Sequence, residues 1–186
     1  AAFQTGVSLA TDILYQQVQK KTASVNTWLQ THGDLDEGQD AILVCEDEPD
    51  VESVLSAVSG ITYSGGGLPP ENHLDALESL LNSAPWGGAS GANRDAIVLM
   101  CNGPSKPSRS GTSPEEIGQR FVDLGILLCV VAEPIDPAIY ALCQAANAEF
   151  EPISNAPDAE LMRSIGSRLA ASIMPPAAST GTVPMN

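Results

Sequence analysis

Four groups of residues in this sequence could do chemistry: a triple glycine, a string of acids, two histidines and four cysteines. Gly65-Gly66-Gly67 stands before a helical pattern, where backbone N–H groups can cradle an anion. No G-x-x-x-x-G-K-[ST] or G-x-G-x-x-G pattern accompanies it, and no Lys or Arg lies near it in sequence. The run therefore reads as a tight turn that lets two backbones approach closely. Glu46, Asp47, Glu48 and Asp50 follow an apolar run. Paired carboxylates can exchange protons or bind a hard cation, but consecutive acids read first as a solvated loop. His32 is expected at a helix C-terminus and His73 in the first turn of another helix. Neither is close in sequence to a Cys or to a Gly-x-Ser-x-Gly elbow, so no Ser/His/Asp or Cys/His triad is supported. Of Cys45, Cys101, Cys129 and Cys143, none forms a C-x-x-C or close Cys/His arrangement. They read as buried, reduced thiols of an intracellular protein.

Composition narrows the possible partners. Among 186 residues, acids outnumber bases 23 to 8, for a formal net charge of −15. A nucleic-acid binder needs a Lys/Arg patch against phosphate, and an anionic membrane surface attracts basic segments; this chain offers neither. The longest clean apolar run, 126–132, falls far short of the ~20 residues of a membrane helix. The opening Ala1-Ala2-Phe3 reads as that of a trimmed or processed chain.

The elements that must position these residues alternate between helix and strand. Apolar positions Leu9, Ile13, Leu14, Val18, Val25, Trp28 and Leu29 predict one long helix over 9–31. After the acidic loop Asp34–Asp40, the run 41–45 predicts a strand covered on both faces. Val51, Val54, Leu55 and Val58 mark a short helix, and Leu74, Leu77, Leu80 and Leu81 mark another. Strands are predicted over 96–101, 126–132 and, more weakly near an edge, 149–153. Ser113-Pro114-Glu115-Glu116 is a helix start and Gly125 a helix stop. Asp136-Pro137 opens the next helix, and 158–173 carries the last. The fold class is therefore α/β: a doubly wound, mostly parallel sheet with helices on both faces, Rossmann-like in its layering. Residues 1–173 form one domain, and 174–186 a flexible Pro/Ala/Ser-rich tail or linker. In such sheets ligands sit beyond the carboxyl ends of the strands. That directs attention to Gln4–Ser8, Glu46–Glu48, Ser64–Leu68, Asn102–Pro104 and Ala132–Pro134.

Three places in this layout resemble a von Willebrand factor A (vWA) domain. They are Phe3-Gln4-Thr5-Gly6-Val7-Ser8 before a long helix, Gly65-Gly66-Gly67-Leu68-Pro69 before the Leu74/Leu77 helix, and Ile97-Val98-Leu99-Met100-Cys101 ending in Asn102-Gly103. The resemblance implies a metal-ion-dependent adhesion site built on an Asp-x-Ser-x-Ser, a Thr and a second Asp. At those positions this sequence has Gln4, Gly6, Ser8, Leu68 and Asn102, so only one serine remains. Hard cations want carboxylate oxygens, and both carboxylates are replaced. Among degenerate members, Gly60–Gly67, the strand end Met100-Cys101-Asn102-Gly103-Pro104 and the stretch from Gly125 through Pro134 and Pro137 are similar to the N-terminal-domain family of Mediator complex subunit 25.

The resemblance implies a non-catalytic protein-interaction module without a metal or other cofactor, docking a transcriptional coactivator subunit onto Mediator. It also implies an intracellular, nuclear setting with protein partners. Two alternatives stay open at this point. One is a small-molecule or nucleotide-binding enzyme of another doubly wound family; the other is a metal-dependent vWA adhesion or scaffold domain with unusual ligands. Candidate partner-binding residues are Gln4, Ser8, Asn102, Trp86, Lys106 and Arg109. Trp86 reads equally well as an interface anchor or as a cap on the core beneath its Gly-rich loop.

Overall fold

Two helix starts and one helix stop are written locally and form as the sequence predicts. Ser113 Oγ accepts from the Glu116 backbone N–H at 3.2 Å, and the Glu116 carboxylate accepts from the Ser113 N–H at 2.8 Å. This reciprocal box, with Pro114 at the first helical position, opens α4 (Pro114–Leu124). Gly125 ends it in the left-handed region at φ 69°, where a side chain is disfavoured. Asp136 likewise caps α5 (Pro137–Ala146), accepting from the Ala138 N–H at 2.9 Å.

The computed structural model describes residues 2–20, 27–32, 42–46, 51–61, 70–83, 86, 95–134, 136–153 and 159–173. Along the chain the elements are α1 (Ala2–Gln19), β1 (Thr27–Thr31), β2 (Ile42–Glu46), α2 (Val51–Gly60), α3 (His73–Ser83) and β3 (Ala96–Met100). After α4 come β4 (Leu127–Ala132), α5, β5 (Glu149–Pro152) and α6 (Ala159–Ile173). The triple glycine, Leu68, the acidic loop and the tail after 173 lie outside the described residues.

Strands β3, β4 and β5 pair in that order, all parallel, with Val98 opposite Cys129 and Cys129 opposite Glu149. Alternation then sorts their side chains into two layers. Ile97, Leu99, Leu128, Val130 and Ala132 face α3, α4 and α5, joining Leu74, Leu77, Ile117, Phe121, Ile139 and Leu142. Val98, Met100, Cys129 and Val131 face α1 and α6, joining Ala10, Leu14, Val18, Met162, Ile165 and Leu169. Both faces of the sheet are covered by helices, so the doubly wound arrangement holds. Burial on both faces is the reason its strands read as unbroken apolar runs.

The helices approach closely at two glycines. A Cβ on Gly118 of α4 would lie 2.6 Å from Ala145 Cβ and 2.8 Å from the Leu142 carbonyl oxygen of α5. One on Gly166 of α6 would lie 2.6 Å from the Ala10 carbonyl oxygen of α1. Hydrogen at these positions sets the separation of each helix pair.

The first third of the chain departs from the sequence reading. No single helix runs over 9–31. Instead α1 begins at Ala2 and ends at Gln19, and Thr27–Thr31 is a strand. Strand β1 pairs antiparallel with β2 in a two-stranded sheet, Leu29 opposite Val44, so among the described residues 42–45 does not join the parallel sheet. Trp28 and Leu29 suit either period over so short a run, and the threonines on either side favour extended backbone. His32 consequently follows a strand and is not a helix C-terminal residue.

Candidate functional site

The parallel strands point their carboxyl ends at one edge of the sheet, and the chemistry-bearing residues gather there. Residues 101–105 leave β3 and are held from two sides. Glu71 and Ser105 form a parallel bridge: the Glu71 N–H donates to the Pro104 carbonyl at 2.8 Å, and the Lys106 N–H to the Glu71 carbonyl at 2.6 Å. From the α5 side, the Asp136 carboxylate accepts from the Ser105 N–H at 2.6 Å while its other oxygen caps α5. Beneath this rim Cys101 is buried. Burial, then the neighbouring Asp136, Cys143 and Glu133, push its thiol up to about 12. A thiol so placed is not a nucleophile at neutral pH. Glu133, one residue past β4, carries a buried carboxylate oxygen with no hydrogen-bond partner among the described residues.

The two histidines meet at the same rim. His32 Nε2 and His73 Nδ1 are 2.6 Å apart, with the rings edge to face, and His73 Nε2 lies 3.4 Å from the Gly103 carbonyl oxygen. His73 is 3% exposed. Burial, and next the charge of His32, lower its imidazole to about 4, against a smaller opposing effect of Gly103. Burial lowers His32 as well. Both rings are therefore neutral at pH 7. Sequence distance hid this pair, and the misread strand put His32 on the wrong element.

A second polar cluster clips the loop after β3 onto α3. Ser108 Oγ donates toward Asp75, at 3.3 Å, and toward Glu78. Ser110 Oγ lies 2.9 and 3.1 Å from the two Glu78 oxygens, and the Arg109 N–H donates to Asp75 at 2.9 Å. The loop is thus fastened by its hydroxyls, and Ser108 is buried.

The positions implied for a metal divide between elements. Gln4, Gly6 and Ser8 fall in the first two turns of α1, not in a loop. Gly6 is buried and Ser8 half-buried. Val7 and Met100 share one apolar cluster, which brings this end of α1 to the carboxyl end of β3. Asn102 is exposed just beyond β3. Gly65, Gly66, Gly67 and Leu68 lie outside the described residues. The described donors are thus neutral oxygens only. No group of three His, Cys, Asp or Glu that could hold a metal occurs among the described residues.

The remaining candidates are scattered. Trp86 packs against the core on the α3–α4–α5 side, its indole N–H buried and without a hydrogen-bond partner among the described residues. Lys106 is half-buried and Arg109 exposed, both on the clipped loop. Cys101, Cys129 and Cys143 are free and buried, as read from the sequence. Among the described residues no helix is long and apolar enough to cross a membrane.

No family model matches the chain, and no curated protein matches it. A solved structure does. Proximal thread matrix protein 1 from the mussel byssus, described with a zinc-occupied metal-ion-dependent adhesion site, superposes with a TM-score of 0.60 at 14% identity. The match covers 88% of this chain and 40% of that one. That neighbour is a vWA-domain protein, so the likeness defines the fold here as vWA-like.

Proposed function

We propose that this chain is a protein-interaction module of vWA type without a working metal site. The observation that carries the reading is the vWA-like fold combined with the residues at the implied metal positions. The sequence resemblance puts Gln4 and Asn102 where two carboxylates are needed; Gly6 offers no side-chain oxygen, and Leu68 is a hydrocarbon. Neutral oxygens alone do not offset the desolvation of a divalent cation. Without an ion, the rim around Ser8 and Asn102 is a polar surface, with no catalytic group among the described residues. The buried Cys101 thiol and the neutral histidines do not supply a nucleophile or a base aimed at open space.

In its sharper form, resting on the sequence resemblance alone, the module docks a coactivator subunit onto Mediator in the nucleus. The direct test is thermal unfolding with millimolar Mg²⁺ or Mn²⁺ against EDTA. A ligand that binds only the folded state must raise its melting temperature. The expected shift is under about 1 °C, because [L]/Kd stays well below one. A rise of several degrees, abolished by EDTA, overturns the metal-free reading. Affinity capture from the native extract, with Mg²⁺ in one arm and EDTA in the other, tests the docking. Mediator subunits in both arms support it, and their absence from both refutes the sharper form.

A further inference from the structure

We propose that the His32–His73 pair is an acid-released latch. It clasps the β1–β2 hairpin to the start of α3 and, through Gly103, to the segment leaving β3. The latch stands independently of the metal and partner readings.

The hydrogen-bond chain has one consistent polarity. The Gly103 carbonyl can only accept, so His73 Nε2 carries the proton and its Nδ1 is a lone pair. His32 Nε2–H must then donate to His73 Nδ1, leaving the lone pair of His32 on Nδ1. Three elements distant in sequence are joined by this chain of neutral rings. A further tie between the hairpin and α3 runs from Gln30 Nε2 to the Ala76 carbonyl at 3.3 Å. A two-stranded hairpin alone is marginal in water, so its order depends on such docking.

Protonation opposes the clasped state twice over. With both rings protonated, two N–H groups would face each other at the 2.6 Å contact. A proton on His32 keeps the bond but places a cation against the N-terminal end of α3, where the helix dipole is also positive. Among the described residues no acid is among the groups that shift His73, Glu71 two residues before it included. Asp75 of α3 is taken up by the Asn72 amide, Ser108 Oγ and the Arg109 N–H. Asp136 is taken up by Ser105 and Ala138, and Lys106, on the segment after β3, is a further cation. Among the described residues the one charge acting on His73 is that of His32.

The unclasped rings titrate near about 6.5, whereas clasped His73 titrates at about 4. The open form therefore gains protons first as pH falls. Linkage for His73 alone lowers the closed-to-open ratio about 25-fold between pH 7.5 and pH 5, and His32 adds to it.

Amide hydrogen exchange, corrected for the intrinsic pH dependence, reads this directly. Protection in β1 and β2 is expected to fall on the order of 25-fold between pH 7.5 and pH 5, with β4 as the internal reference. The double variant His32→Gln/His73→Asn keeps a donor and an acceptor at the contact without a titrating group. Its hairpin protection should not change over that range. A wild-type hairpin that loses no more protection than β4 overturns the latch. So does a double variant with the wild-type pH dependence. Imidazole ¹⁵N NMR of the wild type decides the matter should the variant not fold. The expected result is two neutral Nε2–H tautomers with depressed midpoints; two rings titrating near about 6.5 refute it.

Discussion

Replacing Gly118 with Ala adds one methyl group to α4 at a point where α5 leaves no room. The new Cβ would lie 2.6 Å from Ala145 Cβ, 2.8 Å from the Leu142 carbonyl oxygen and 3.0 Å from the Ala146 nitrogen. Ordinary carbon contacts sit near about 3.5–4.0 Å, so the helices must separate by up to ~1 Å. Two of the three atoms are α5 backbone, which no rotamer change can withdraw. Overpacking a core costs ~1–3 kcal/mol, and backbone contact places this case at the upper end. Against it stands the helix propensity of Ala over Gly, worth ~1 kcal/mol. The steric cost wins, leaving a net loss of ~2 kcal/mol, or about 4–8 °C in melting temperature for a chain of this size. Thermal melts followed by circular dichroism, with urea titrations at 25 °C, measure it. Gly60→Ala is the control: nothing lies within 4 Å of its added Cβ, and its stability should be unchanged or higher by up to ~1 kcal/mol. A Gly118→Ala protein that melts at or above the parent would refute the packing argument, because α4 and α5 could not then meet at this residue.

Ser113→Ala removes the α4 cap and should cost ~1 kcal/mol in urea unfolding, while Ser113→Asp should recover most of it. Cys101 and Cys129 are buried, and burial holds the Cys101 thiol far above neutral pH. Both should resist alkylation at pH 8 until the protein unfolds, as mass spectrometry of the labelled peptides would show. Glu151 of β5 pairs with Arg168 of α6 at 2.6 Å. Desolvation raises its carboxyl, Arg168 opposes the rise and Glu149 adds to it. With the folded value raised, this group lowers stability at neutral pH and returns it as pH falls through the carboxylate range. Arg168→Met should move the Glu151 midpoint further up in a carboxyl ¹³C titration.

Legibility followed the range of the interaction. The helix starts at Ser113 and Asp136 and the stop at Gly125 depend on neighbours within four residues, and each formed where the residues place it. The strands β3 and β4 were legible because burial on both faces forces unbroken apolar runs. The strand at 27–31 was not, since Trp28 and Leu29 satisfy helix and strand periods alike. Its pairing with 42–46 is a decision between two segments, made by tertiary contact. The candidate site divides in the same way. The absence of carboxylates at 4 and 102 is a fact of composition. The fastening of Ser108 and Ser110 to Asp75 and Glu78 is not, because a Ser-rich loop has the same sequence whether or not a helix lies beneath it.

By itself the sequence determined an acidic α/β chain with a covered sheet and buried thiols at Cys101, Cys129 and Cys143, because periodicity, capping and charge are local or summed quantities. Only the tertiary structure decided which distant groups meet. It seated the methyl-free faces of Gly118 and Gly166 against neighbouring helices and clipped the 105–112 loop onto α3. It also brought His32 to within 2.6 Å of His73. Each of those contacts depends on how the layers stack, and a lone histidine or glycine in a sequence carries no mark of what will face it.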